Sequence, residues 1–228
     1  YLQIDYRKST DYSLFKNVKT ITRLQLSQGC KHRCKFCTIP KIIIENNLEE
    51  IGQQIDSFKD LDFKLIYIDD KTFGQASNYT LLMPSYEKII EYNPNFKGFI
   101  IQTTAIQVAK LSKEIDLRDL HIFAIEIGVE SYNDSILSSL RKPASEKSIR
   151  RAVEICKLYD INIIYNIIVG LPEETKETYL RTLNFIVETK PYGLNIFNLA
   201  IYKNTELSKE LNIVDPIESE LRKRYNSI

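Results

Sequence analysis

The sequence predicts an α/β fold: a parallel sheet of six strands, covered by helices and curved into an open, partial barrel. Three observations carry this reading. Strand-like and helix-like stretches alternate six times without a linker between them, the pattern of successive βαβ units. The fifth strand-like stretch, 161–170, is almost continuously apolar, as a strand covered by helices on both faces must be. The length, 228 residues, suits one barrel-sized domain with an ample core, and six units rather than eight leave such a barrel open.

In chain order, residues 1–19 read as an irregular lead-in, 20–207 as the barrel, and 208–228 as a charged tail with some helix. Thr20 to Ser27 alternates apolar and polar residues, a strand ending just before Gly29. Leu48, Ile51, Ile55 and Phe58 recur at helical spacing with acids between them. Phe63 to Asp70 is a second strand, and Leu81 to Glu91 a helix with Pro84 near its first turn. Phe99 to Thr104 is the third strand, followed by a short helix to about Ile115. His121 to Glu130 is the fourth strand. After the segment Asn133 to Leu140, a helix begins with Ser145 as N-cap and carries Ile149, Val153 and Cys156 on its apolar face. The fifth strand, a helix from Thr175 to Glu188 and a sixth strand from Leu194 to Ile201 complete the series.

Composition narrows the function classes. Net charge is +1, so no global field points to nucleic acid or a membrane surface. No apolar run reaches 18 residues and no signal peptide is visible. The chain opens at Tyr1 rather than Met, which marks it as a candidate fragment of a longer protein. Four cysteines, three of them clustered, do not form a disulfide framework and point to a reducing, cytoplasmic compartment.

The chemistry concentrates in Cys30-Lys-His-Arg-Cys34-Lys-Phe-Cys37. Seven steps of chain, at ~3.6 Å each, reach ~25 Å at most, and fold back readily around a small object. Iron–sulfur cubes are held by Cys thiolates, usually four. Three thiolates leave one iron open, and an open position separates a catalytic metal from a sealed structural one. Two other readings of these thiols stand beside this one: a structural zinc with Cys156 as fourth ligand, and unrelated buried thiols. Structural zinc prefers a second Cys pair or His, whereas His32 and His121 are isolated.

The spacing C-x3-C-x2-C, with Leu26-Ser-Gln-Gly-Cys30 before it and Phe36-Cys-Thr-Ile-Pro40 after it, resembles the signature of the radical S-adenosylmethionine (radical SAM) enzymes. The resemblance spans roughly Ile21 to Leu207 and implies the (β/α)6 partial barrel of that family. It also implies a [4Fe-4S] cluster on Cys30, Cys34 and Cys37, and S-adenosyl-L-methionine (SAM) on the open iron. One electron would then cleave SAM to methionine and a 5′-deoxyadenosyl radical that attacks a substrate. A flavodoxin- or ferredoxin-type electron donor is implied, with no docking patch identifiable from sequence. An iron–sulfur electron-transfer or binding module without SAM cleavage, and a zinc-stapled domain, are the competing functions.

The same resemblance assigns SAM contacts. Phe36 occupies the aromatic position near adenine. Asp69 or Asp70, at the end of the second strand, stands where many members place Gly-Gly-Glu and meet the SAM amino group; the Asp-Asp pair is closer to a cobalamin-associated branch. Gly128-Val-Glu130-Ser131 resembles the Gly-Ile-Glu-Ser stretch that addresses ribose or methionine, and Glu126 lies on the same face as Glu130. Arg141 resembles a basic position that pairs with the SAM carboxylate, for which a guanidinium gives a planar fork. Asn166-Ile-Ile168-Val-Gly170-Leu-Pro-Glu173 resembles G-x-I-x-G-x-x-E, with Ile168 against adenine and Asn166 replacing the first Gly. Leu199 to Ile201 supplies further apolar support. There is no second Cys cluster, which argues against an auxiliary-cluster maturase or methylthiotransferase within this chain, and no Asp-x-His-x-x-Gly cobalamin motif.

Overall fold

The structure, a computed structural model, describes Tyr12, residues 15–16 and residues 18–212. The predicted tail beyond residue 212 and most of the lead-in lie outside these. Six strands form one sheet in the order β1 (Thr22–Leu24), β4 (Ile66–Ile68), β5 (Phe99–Thr103), β6 (Ile122–Glu130), β7 (Asn162–Val169) and β8 (Gly193–Asn198). Every neighbouring pair is parallel, and among the described residues β1 and β8 are the two edges of the sheet, so the barrel is open as the unit count implied.

The first predicted strand divides. β1 covers only its first half, and Ser27–Gln28 (β2) leaves the sheet to pair antiparallel with Ile44–Glu45 (β3). The division is set by Asp70, whose Oδ1 accepts the backbone N–H groups of Leu26 and Ser27, each at 2.9 Å, while Oδ2 accepts the Ser27 hydroxyl at 2.6 Å. The triad loop is therefore a small hairpin clasped to the end of the sheet rather than a simple strand end.

Helices α1 (Leu48–Asp56), α2 (Leu82–Ile90), α3 (Ala105–Glu114), α5 (Glu146–Leu158) and α6 (Lys176–Thr189) lie between the strands as expected. Their starts follow side-chain caps. Asn47, Ser145 and Thr175 each form a reciprocal box with the residue three positions on, and Thr104 accepts from Gln107. Pro84 sits in the first turn of α2, where its missing N–H costs no helical bond. The segment after β6 forms a short helix, α4 (Asp134–Ser139), and Glu206–Glu210 forms α7.

Most of the buried apolar side chains form one core between sheet and helices, including Leu24, Ile66, Phe99, Ile127, Tyr165 and Phe185. Cys156 is fully buried in it, on α5. A second, smaller group of Ile136, Leu140, Leu171, Ile201 and Leu207 lies at the C-terminal end of the sheet, with Phe36, Ile168 and Leu199 packed against it. No helix among the described residues is long and apolar enough to cross a membrane.

Candidate active site

The triad loop is closed at its base by backbone contacts. The Cys30 N–H donates to the Pro40 carbonyl at 2.9 Å, and Gly29, at φ +85°, lies so close to the Ile42 carbonyl that a Cβ there would collide with it. Only Gly meets both the left-handed backbone and the close approach. At the far side the Lys35 N–H donates to Leu140 O at 3.0 Å, and the Leu207 N–H donates to Lys35 O at 2.9 Å, tying the loop to α4 and α7.

Cys30 is buried with its sulfur 3.5 Å from Thr72 Oγ1, while Cys34 and Cys37 are half-buried. Burial raises the Cys34 thiol above its ordinary range; the Lys142 ammonium pulls the other way, and Cys37, Cys30 and Glu130 add to the rise. The three sulfurs thus share one electrostatic neighbourhood. Among the described residues no three His, Cys, Asp or Glu side chains converge tightly enough for a single metal ion. Cys156, the fourth ligand of the zinc reading, stays in the main core with its thiol pushed up to about 12 by burial. The donor set, the three thiols of Cys30, Cys34 and Cys37 on one short loop, fits a four-iron cube with one iron left open.

Beside the triad lies a buried ion pair. Glu130 and Lys142 contact each other through Oε1 and Nζ, each side chain about 9% exposed. Burial alone would lower the Lys142 ammonium, but Glu130 and the Cys34 and Cys37 thiols outweigh it, and the net direction is upward. Glu130 takes φ +60° at a break in register where β6 meets β7. Gly128 makes room for the pair: a Cβ there would fall 2.6 Å from both Glu130 Oε1 and Lys142 Nζ. Ser131 is 1% exposed, and its hydroxyl has no hydrogen-bond partner. An orphaned hydroxyl beside a buried charge pair is an unfilled demand for a polar ligand.

The structure sorts the sequence-derived contacts. Phe36, Ile168 and Leu199, assigned separately to adenine, are each half-buried against the same small apolar cluster of Ile136, Leu140, Leu171, Ile201 and Leu207. Asp70 is spent on the Leu26–Ser27 turn, and burial lifts its carboxyl to about 6 against the pull of those hydrogen bonds. Asp69 is the more accessible member, half-buried and paired with Arg23 at 3.1 Å and Lys71 at 3.0 Å. Arg141 points outward to Glu206 at 2.8 Å, and its left-handed backbone, φ +51°, reverses the chain so that Lys142 turns inward. Glu173 is exposed at φ +65°; its neighbour Glu174 folds back to accept the Gly170 N–H at 2.7 Å.

Glu126, earlier on β6 and only half-buried where Glu130 is buried, accepts from Tyr67 Oη at 2.8 Å and Asn166 Nδ2 at 2.7 Å, while Asn195 donates to Asn166 at 2.9 Å. This polar row spans β4, β6, β7 and β8. It explains Asn in place of the first Gly of the fifth-strand motif. Lys142, Tyr67 and Asn195 were not singled out from sequence. Period-2 alternation puts Tyr67 and Asn195 on definable strand faces. Nothing local separates Lys142 from Arg141, because the turn between them decides which is buried.

Residues 24–186 match the model of the Radical SAM superfamily, and the chain belongs to that family. It is 28% identical over 215 residues to the ribosomal protein uS12 methylthiotransferase RimO of Clostridium kluyveri, covering 87% of this chain and 46% of that protein. It is 25% identical over 195 residues to the hopanoid C-2 methylase of Rhodopseudomonas palustris, covering 81% of this chain and 36% of that one. The fold superposes on the radical SAM methyltransferase TsrM of Kitasatospora setae, solved with cobalamin and a [4Fe-4S] cluster, with a TM-score of 0.67 at 15% identity over 83% of this chain and 36% of that chain. The chain spans less than half the length of these relatives. Family membership implies a [4Fe-4S] cluster and SAM.

Proposed function

We propose that this chain is the catalytic core of a radical SAM enzyme, with Cys30, Cys34 and Cys37 holding the cluster and SAM lying across the C-terminal ends of the strands. The observation that carries the reading is the buried Glu130–Lys142 pair and the orphaned Ser131 hydroxyl beside the three-thiol loop. When bound, the cluster supplies one electron to the sulfonium of SAM. The protein's own residues bind and orient. Lys142, held cationic by its surroundings, receives the methionine carboxylate; Glu130 and Ser131 take the ribose hydroxyls or the amino group; Asp69 is the accessible carboxylate of its pair; and Phe36, Ile168 and Leu199 cover the adenine. The Glu126–Tyr67–Asn166–Asn195 row lines the substrate side of the barrel, away from the triad.

The names of the relatives support transfer of a methyl or methylthio group to the substrate. The thiol triad supports a reducing, cytoplasmic setting, and a flavodoxin- or ferredoxin-type protein is the reductant we assign. Anaerobic reconstitution tests the reading. Brown protein with about four irons per chain, which releases 5′-deoxyadenosine from SAM on reduction with dithionite, supports it. Brown protein that leaves SAM intact favours an electron-transfer module, and colourless protein with one zinc favours a structural domain.

A further inference from the structure

Cys30 differs from the other two thiols of the triad in what lies behind it. It is 8% exposed, and its sulfur lies 3.5 Å from the hydroxyl of Thr72, itself 3% exposed. Thr72 lies in the turn that follows β4, and that turn is fixed on both sides. Toward the sheet, the Phe73 N–H donates to Gln102 O at 2.8 Å, Thr103 Oγ1 donates to Phe73 O at 2.8 Å, and Gln107 Nε2 donates to Gly74 O. Gly74, at φ +83°, approaches the Leu111 side chain so closely that a Cβ would collide with it. Toward the triad loop, Gln75 Oε1 accepts the Lys31 N–H at 2.7 Å, and the Gln75 carbonyl accepts from Lys31 Nζ at 2.9 Å. The turn is thereby bonded to β5 and α3 on one side and to Lys31, the neighbour of Cys30, on the other.

The proton count at the Thr72–Cys30 contact depends on the metal. With Cys30 as a free thiol, either group can donate to the other. A sulfur bound to iron has lost its proton and can only accept. Thr72 then holds the sole proton of the pair, with two acceptors in reach: Lys71 O at 2.8 Å and Cys30 Sγ. The sulfur of a cluster carries negative charge and the carbonyl does not, and hydrogen bonds to a charged acceptor are the stronger. Both residues are buried, so little water reaches the contact to take the hydroxyl's place. Reduction adds one negative charge to the cluster, and hydrogen bonds to its sulfurs are one of the means by which a protein sets its potential. We propose that Thr72 is a positioning residue for the redox step: its hydroxyl donates to the Cys30 sulfur of the bound cluster and raises the cluster's reduction potential. The reductant loses one electron and the cluster gains it; no bond in this chain forms or breaks. The inference rests on the function proposed above.

The test is a redox titration of the reconstituted full chain with dithionite, without SAM, followed by electron paramagnetic resonance. Thr72→Val keeps the shape of the side chain and removes the hydroxyl, whereas Thr72→Ser keeps the hydroxyl. T72V should take up as much iron as the wild type and be about tenfold harder to reduce, a potential lower by about 59 mV for one electron. T72S should stay within about threefold of the wild type in the same equilibrium. T72A, which removes the hydroxyl without the second methyl, repeats the measurement if valine disturbs assembly. An unmoved potential in whichever of T72V and T72A holds iron, or a T72S potential shifted as far as theirs, would overturn the proposal. Loss of iron in both T72V and T72A would also overturn it, in favour of a purely structural clamp. Wild-type protein that takes up no iron would defeat the cluster assignment itself and this inference with it, whereas a wild-type iron content with an unmoved potential defeats this inference alone.

Discussion

Lys142→Met isolates the contribution of the buried ion pair. Methionine keeps much of the length and apolar stem of lysine and removes only the ammonium. Both partners are about 9% exposed, so the Glu130 carboxylate is left in a poorly solvated position without its counter-ion. Removing one partner of a buried pair costs about 3–5 kcal/mol, mostly because the other charge stays behind. For a domain of this length each kcal/mol moves the melting temperature by roughly 2–4 °C, so K142M should melt roughly 6–20 °C below the wild type. The double variant E130Q/K142M removes both charges, and its loss should fall at least about 2 kcal/mol short of the sum of the two single losses. Urea denaturation of the four proteins gives both numbers. A K142M loss below about 1 kcal/mol, or strict additivity in the double variant, would refute the claim that a desolvated pair organises this end of the barrel. The neighbouring Arg141→Ala serves as contrast: its pair with Glu206 is exposed on both sides, and its loss should cost under about 1 kcal/mol.

Further expectations concern the turn and the loop. The Asp70 carboxyl sits at about 6 in the folded protein against an ordinary 3.8, a difference of ~3 kcal/mol. The folded state therefore holds this proton more tightly than the unfolded state between about pH 4 and pH 6, and the Asp70 contribution to stability falls as pH rises through that window. Asp70→Asn should flatten this pH dependence in denaturation curves while keeping the two backbone hydrogen bonds. Asp70→Ala should lose about 2–4 kcal/mol at pH 7 by orphaning the buried N–H groups of Leu26 and Ser27. Gly29→Ala meets both a left-handed backbone and the Ile42 carbonyl, and should lower the iron retained after reconstitution well below wild type. Cys34→Ala should abolish iron retention, whereas Cys156→Ala should keep it and cost only about 1 kcal/mol, because that thiol belongs to the core.

The parallel sheet and its helices were legible because hydrophobic period and capping act locally. Ser145 and Thr175 announce their helices, and the apolar run of 161–170 announces a covered strand. The triad was legible because three ligands within eight residues need no tertiary knowledge. What local reading missed was decided by tertiary contacts. The first strand divides because Asp70, 43 residues further on, captures the backbone of Ser27. Lys142 rather than Arg141 is buried because the chain reverses between them at a positive φ. The glycine of Gly-Val-Glu is explained by the space the ion pair needs, which appears only when β6 and the turn after α4 are placed together. Phe36, Ile168 and Leu199 lie far apart in the chain, and only the barrel brings each of them against one small apolar cluster.

The central claim is a cluster on three thiolates with one iron left for SAM, and electron paramagnetic resonance of the anaerobically reconstituted, dithionite-reduced protein addresses it most directly. The account predicts an iron–sulfur signal whose shape changes when SAM is added. A signal that SAM leaves unchanged, or a protein that binds one zinc and no iron, would contradict it.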